Sequence, residues 1–159
     1  MSVIGETKKK VIKDIVNDDE IMTTMGNDLN GRSNDEAIYQ YIFPYFHIIK
    51  TIEEVHSYIC MQMDMIQNDV RSVPNKLVSQ YVLTIYVVVH QGLMKMSNSG
   101  GEDRLDYLAN LICEKFDGRD DFGIGEFELM ENQENSLDAN HRLRVLTFLT
   151  KDTAGNICD

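Results

Sequence analysis

The sequence predicts an α+β fold: one domain with a mainly antiparallel sheet of at least four strands, packed on an N-terminal helix and a central helix over residues 103–117. Three observations lead there. Residues 78–92 read VSQYVLTIYVVVHQG. Tyr81, Leu83, Ile85, Val87 and Val89 alternate against Val82, Thr84, Tyr86, Val88 and His90. Both sets are largely apolar or β-branched, so the expectation is a central strand covered on both faces. Residues 104–116 read RLDYLANLICEKF, and Leu105, Leu108, Ala109, Ile112, Cys113 and Phe116 fall on one stripe of helical period. Residues 126–152 form two strand-like runs around the turn-rich stretch ENSLDAN, which predicts a closing hairpin.

Taken in order, residues 6–16 (ETKKKVIKDIV) predict a helix whose stripe is Val11, Ile12, Ile15 and Val16. Lys8, Lys9 and Lys10 lie across from that stripe. They read as a solvated face, with contact to a nucleic acid or an acidic partner as the alternative. Residues 17–25 predict a further helical turn that stops at Gly26. A long polar loop then covers 26–36, and loops of that length are often contact elements.

Residues 37–50 are dense in aromatics: Tyr39, Tyr41, Phe43, Tyr45 and Phe46, with Pro44 among them. Pro44 excludes a regular central strand through this point. The segment reads as an aromatic plug on the core or as a contact surface for another subunit; stacking of nucleic-acid bases is a third reading, weakened by the absence of interleaved Lys or Arg. Residues 53–65 predict a strand with Val55, Ser57, Ile59, Met61, Met63 and Met65 on its buried face. The methionines suit a flexible core. The connection over 67–77 is too long for a tight hairpin and is a second candidate contact loop. A third covers 97–102. In the last strand Leu143, Val145, Thr147 and Leu149 oppose Arg142, Arg144, Leu146, Phe148 and Thr150.

Composition narrows the function classes. The 159 residues are 43% hydrophobic, with two prolines and ten glycines, which fits a chain able to build a core. Asp and Glu outnumber Lys and Arg by 26 to 15, a net charge of −11. That balance argues against gripping nucleic acid as the main task. Cys60, Cys113 and Cys158 are far apart and form no CxxC pair, so a reducing compartment is expected, without a disulfide framework or zinc site. No stretch resembles a signal peptide or a membrane span, so the expectation is a soluble protein made in a cytoplasm.

Motifs that carry chemistry are scarce in the chain. There is no GxSxG, no phosphate-binding GxxxxGK[ST], and no dinucleotide fingerprint. His56 and His90, with Glu54 or Asp64, form a conceivable metal-binding set, but HxxxH, HExxH and HxH spacings are absent. Asp103, Asp106, Glu114, Asp117, Asp120 and Asp121 cluster around the central helix without the order of a calcium loop, and read as a solvated face. The expectation is a protein that is not an enzyme and carries no cofactor.

Residues 78–152 resemble the tail-terminator (tail-completion) proteins of long-tailed bacteriophages. The resemblance lies in LTIYVVVH, a polar loop, the helix RLDYLANLICEKFDG, the glycine-bearing FGIGEFEL and the last strand HRLRVLTFL, with KKKVIKDIV as the N-terminal helix. It implies an α+β subunit of a ring, hexameric in that family, that caps the tail tube and joins the head connector. The implied partners are copies of itself, the tail tube protein and the head–tail connector protein. DNA would pass through the lumen without specific binding, and the site of action would be the virion's head–tail junction after synthesis in the bacterial host. Residues 17–50 depart from the family by being longer and more aromatic. Candidate interface residues are Tyr39, Tyr41, Phe43 and Tyr45 in the aromatic segment, Asp69, Arg71, Asn75 and Lys76 in the 67–77 connection, and Asn98 and Glu102 before the central helix. Two other classes stay open: a small acidic metal-dependent or nucleotide-handling enzyme built on His56 and His90, and a monomeric cytoplasmic adaptor.

Overall fold

Apolar alternation and helical stripes fold here into one α+β layer pair, seen in a computed structural model that describes residues 2–47, 55–69, 77–97 and 100–150. Helix α1 (Val3–Val16) starts at Ser2, whose Oγ accepts from the Gly5 amide at 3.1 Å. Helix α2 (Asp19–Met25) starts at Asp18, which accepts from the amides of Glu20 and Ile21. Helix α3 (Arg104–Phe116) starts at Asp103, which accepts from the Asp106 amide at 2.8 Å. Each cap satisfies amides that a helix start leaves without an internal partner. Helix α2 ends on Gly26 in the left-handed region at φ 72°. A Cβ there would also lie 2.6 Å from the Arg104 guanidinium, so two independent constraints ask for glycine.

The sheet has five strands: β1 (Ile42–Phe43), β2 (Ser57–Asp69), β3 (Leu77–His90), β4 (Phe127–Ser136) and β5 (His141–Thr150). Their order is β1-β2-β3-β5-β4. Only the β1–β2 pair is parallel. The short β1 stops where Pro44 begins, as a proline at a sheet edge requires. Three helices cover one face. On that face Ile59, Met61, Leu83, Ile85, Val87, Leu146 and Phe148 meet Leu105, Leu108, Ile112 and Phe116 of α3 and Val11 and Ile15 of α1, all buried. Phe116, Phe127 and Phe148 stack edge to face at the far end.

Two expectations about the strands change. β3 is central but is not covered on both sides: Val82, Thr84, Tyr86 and His90 are half-buried, and of that set only Val88 is sealed. The helices occupy one face, and β-branched composition does not say which. β2 starts at Ser57 and runs to Asp69, later at both ends than the predicted 53–65. Backbone pairing with β3 continues through Asp69↔Leu77 after the apolar side chains stop alternating. β5 pairs with β3 only from Val82 onward. The end of β2 and the start of β3 are therefore a two-stranded ribbon beyond the rest of the sheet.

Candidate functional site

Among the described residues three surfaces stand out, each set by the elements that carry it; Val3 and Val55 are also exposed, outside them. The first is a groove of about 640 Å³ between α1 and the β1 edge. Its floor is Ile12, Val16 and Ile38, with Tyr39 and Pro44 as a wall. Lys8, Lys9 and Lys13 rim it, opposed by one carboxylate, Asp35. Lys8 Nζ donates to the Pro44 carbonyl at 2.8 Å, which fixes the helix to the aromatic segment. Lys9 and Lys13 are exposed. The stems of such lysines cover apolar surface while their ammonium groups stay wet.

The second surface is the β2–β3 ribbon. Met65 and Ile66 are each 45% exposed and point to opposite faces of their strand. Their partners in β3, Tyr81 and Gln80, lie just beyond Val82, where the β3–β5 pairing ends. The third surface is the outer edge of β4 beyond Leu129; before it, Phe127 exchanges backbone hydrogen bonds with Gly118 and Arg119, and the Leu129 amide donates to Asp117. A bulge between Leu129 and Glu131 interrupts the β4–β5 ladder and leaves Met130 55% exposed, between exposed Glu128 and Glu131.

The aromatic segment divides. Tyr39 and Tyr45 are exposed, with ring centroids 6.5 Å apart. Tyr41 and Phe43 are buried within the chain at 6% and 4% exposure, as the aromatic-plug alternative has it. Strand alternation across β1 turns Phe43 and its neighbours towards Tyr58, and His47 stacks on Phe43 at 4.1 Å. Phe46 stands edge-on to Tyr86, so this segment partly covers the open sheet face. Glu102 is exposed just before α3. Asp69 pairs through its backbone with Leu77, and its side chain lies outside the described residues. Arg71, Asn75, Lys76 and Asn98 lie outside them too. Lys8 and Lys9 belong to the run for which contact with a nucleic acid or an acidic partner is the alternative reading; Lys13 lies outside that run. Their spacing alone reads as a solvated helix face, and the groove exists only because residues 38–44 pass beside it.

The residues considered for metal chemistry are placed differently from a ligand set. His56 and His90 meet through their backbones, the His90 amide donating to the His56 carbonyl at 3.3 Å. The His56 ring packs on Tyr41, whereas the His90 ring stands perpendicular to His141 at 5.0 Å. His90 Nδ1 accepts from the Gly92 amide, and Asp64 accepts from Gln62. Glu54 is outside the described residues. Among the described residues no three His, Cys, Asp or Glu side chains converge as a metal site would need. Cys60 and Cys113 are free and buried, and burial pushes each thiol up to about 11, where little reactive thiolate exists. Three of the acidic residues around α3 have structural partners: Asp103 caps the helix, Asp106 holds Arg144 at 2.6 Å, and Asp121 holds Arg119 at 2.7 Å. Among the described residues no helix is long and apolar enough to cross a membrane.

The fold and these surfaces define a class first: an α+β protein with exposed apolar groups on a ribbon and at two opposite sheet edges. The chain belongs to the YomW family, a phage-associated family whose model matches residues 10–150. No curated protein and no solved structure matches it.

Proposed function

We propose that this phage-associated chain is a virion structural protein of the tail-terminator kind, a ring subunit that caps the tail tube and offers a surface to the head connector. The observation that carries the reading is the β2–β3 ribbon. A two-stranded ribbon has too little burial to be stable unaided. Met65 and Ile66, on its two faces, are each 45% exposed. A neighbouring subunit or the tube would cover them. The role is geometric binding, with copies of itself, the tail tube protein and the connector as partners. The net charge of −11 suits a lumen that lets DNA slide, because cationic groups would hold phosphate.

Light scattering across concentration, followed by negative-stain imaging alone and with purified tail tubes, tests this. The expected result is a ring with a central hole, or a ring at the tube end. In the double variant Met65→Glu with Ile66→Glu, assembly falls while the circular dichroism of the folded monomer persists. A chain that stays monomeric and leaves tubes bare overturns the reading.

A further inference from the structure

The two edges of the sheet differ in a way that neither explains alone. At the β1 edge, an apolar groove is rimmed by Lys8, Lys9 and Lys13. At the β4 edge, a bulge holds Met130 out between Glu128 and Glu131. The strand order puts β1 and β4 at opposite ends of one sheet. In a chain of net charge −11, a patch with three lysines against one aspartate runs against the general sign.

We infer that the groove of one copy receives the β4 edge of a second copy, Met130 entering the apolar floor while Lys9 and Lys13 face Glu128 and Glu131. This names the contact within the ring reading above and rests on it. Three arguments favour a second copy of this chain. The groove is large enough for an unbranched side chain, and methionine adapts to irregular gaps. Charges of opposite sign face each other across the joint, which steers the encounter and fixes its register. A two-fold contact, by contrast, would set groove on groove, lysine against lysine. Joining unlike surfaces at opposite ends makes a heterologous contact, the kind that closes into a ring when the rotation per subunit allows.

Two folded variants test the pairing. One carries Lys9→Glu with Lys13→Glu, the other Glu128→Lys with Glu131→Lys. In light scattering, each alone is expected to assemble only at concentrations raised by about tenfold or more, as like charges now oppose across the joint. Mixed one to one, they should assemble near the wild-type concentration. Every groove in an alternating assembly then meets an edge of opposite sign. Recovery on mixing separates lost contact from lost fold, which mixing cannot repair. If both variants assemble as wild type does, this contact is overturned and the ring reading stands. If each variant alone is impaired but mixing restores nothing, the groove and edge meet other occupants, such as an acidic segment of another protein, and the pairing is overturned. A wild-type chain that never assembles removes both.

Discussion

The two faces of the central strands carry similar residues and meet different fates. On the helix side Leu83, Ile85, Val87 and Val89 have no exposure at all. On the other side Val82, Thr84 and Tyr86 of β3, with Val145, Thr147 and Leu149 of β5, remain half-buried. Valine and threonine occupy a pleated surface equally well whichever side they face. What separates the faces is the helix layer: Leu105, Leu108, Ile112 and Phe116 need a flat apolar partner, and one sheet face provides all they can cover. The open face is finished in part by Phe46 over Tyr86 and by Tyr58 and Cys60 beside the aromatic segment. A strand rich in β-branched residues thus reports that it belongs to a sheet without reporting how many layers the sheet has.

The largest expected effect tests that asymmetry directly. Phe148 is fully buried on the helix side, in edge-to-face contact with Phe116 and Phe127. Phe148→Ala should cost about 3–5 kcal/mol in urea unfolding. Val145→Ala, one strand over from Tyr86 on the open face, should cost about 1 kcal/mol or less, since a half-buried side chain loses only part of its transfer energy. Equal losses at the two sites would break the comparison. They would mean that the open face is sealed as tightly as the other.

A smaller effect sharpens it, because the buried face is buried only while the helices stay docked. Asp18 does two things for that layer. Its Oδ1 caps α2 at 3.1 Å from two amides, and its Oδ2 holds Lys115 of α3 at 2.9 Å. Asp18→Ala should lose about 1 kcal/mol, chiefly from the cap. Asp18→Asn should lose less, because asparagine caps as well as aspartate does. If the two variants lose equally in the same urea titration, the ion pair, and not the cap, secures α2.

These elements also show how far the sequence can be read. Helix α3 was legible to within a residue because its stripe serves a single purpose, burial against the sheet. The β4–β5 hairpin was legible because Asp138 and Asn140 mark its turn. The ribbon end of β2 was not, because backbone pairing from Met65 to Asp69 continues without apolar alternation to announce it. Tyr41 and Phe43 could not be told from Tyr39 and Tyr45 by composition. All four are aromatic, and only the two-residue strand β1 decides which of them face the core. The groove was the least legible feature. It is made by two segments that approach in space, and the lysines on its rim look like any other solvated run.

The smallest effect concerns pH and separates the helix layer from the sheet itself. Asp18, Asp121 and Asp138 all hold their protons less tightly than usual. For Asp18, burial raises the affinity, but the Lys115 hydrogen bond and the amides of Ile21 and Glu20 outweigh it. For Asp121, the Arg119 guanidinium lowers it most. For Asp138, burial is again opposed, here by the Asn140 amide and by the ring and amide of His141. Carboxylates lowered in the folded state contribute stability that is whole above their unfolded values. As pH falls, the unfolded chain takes up protons first, and the contribution fades as the folded groups titrate. Asp121 and Asp138 are well exposed, so solvent screens them and the effect is small. Relief of repulsion in a chain of net charge −11 acts in the opposite direction on acidification. The informative quantity is therefore a difference between variants. The gap in urea midpoint between wild type and Asp18→Asn should be constant above the usual carboxylate range and shrink as pH falls through and below it. The gap for Val145→Ala should stay flat over the same range, since no charge is lost there. A gap for Asp18→Asn that does not change with pH would show that Lys115 adds nothing to the docking of α2 on α3.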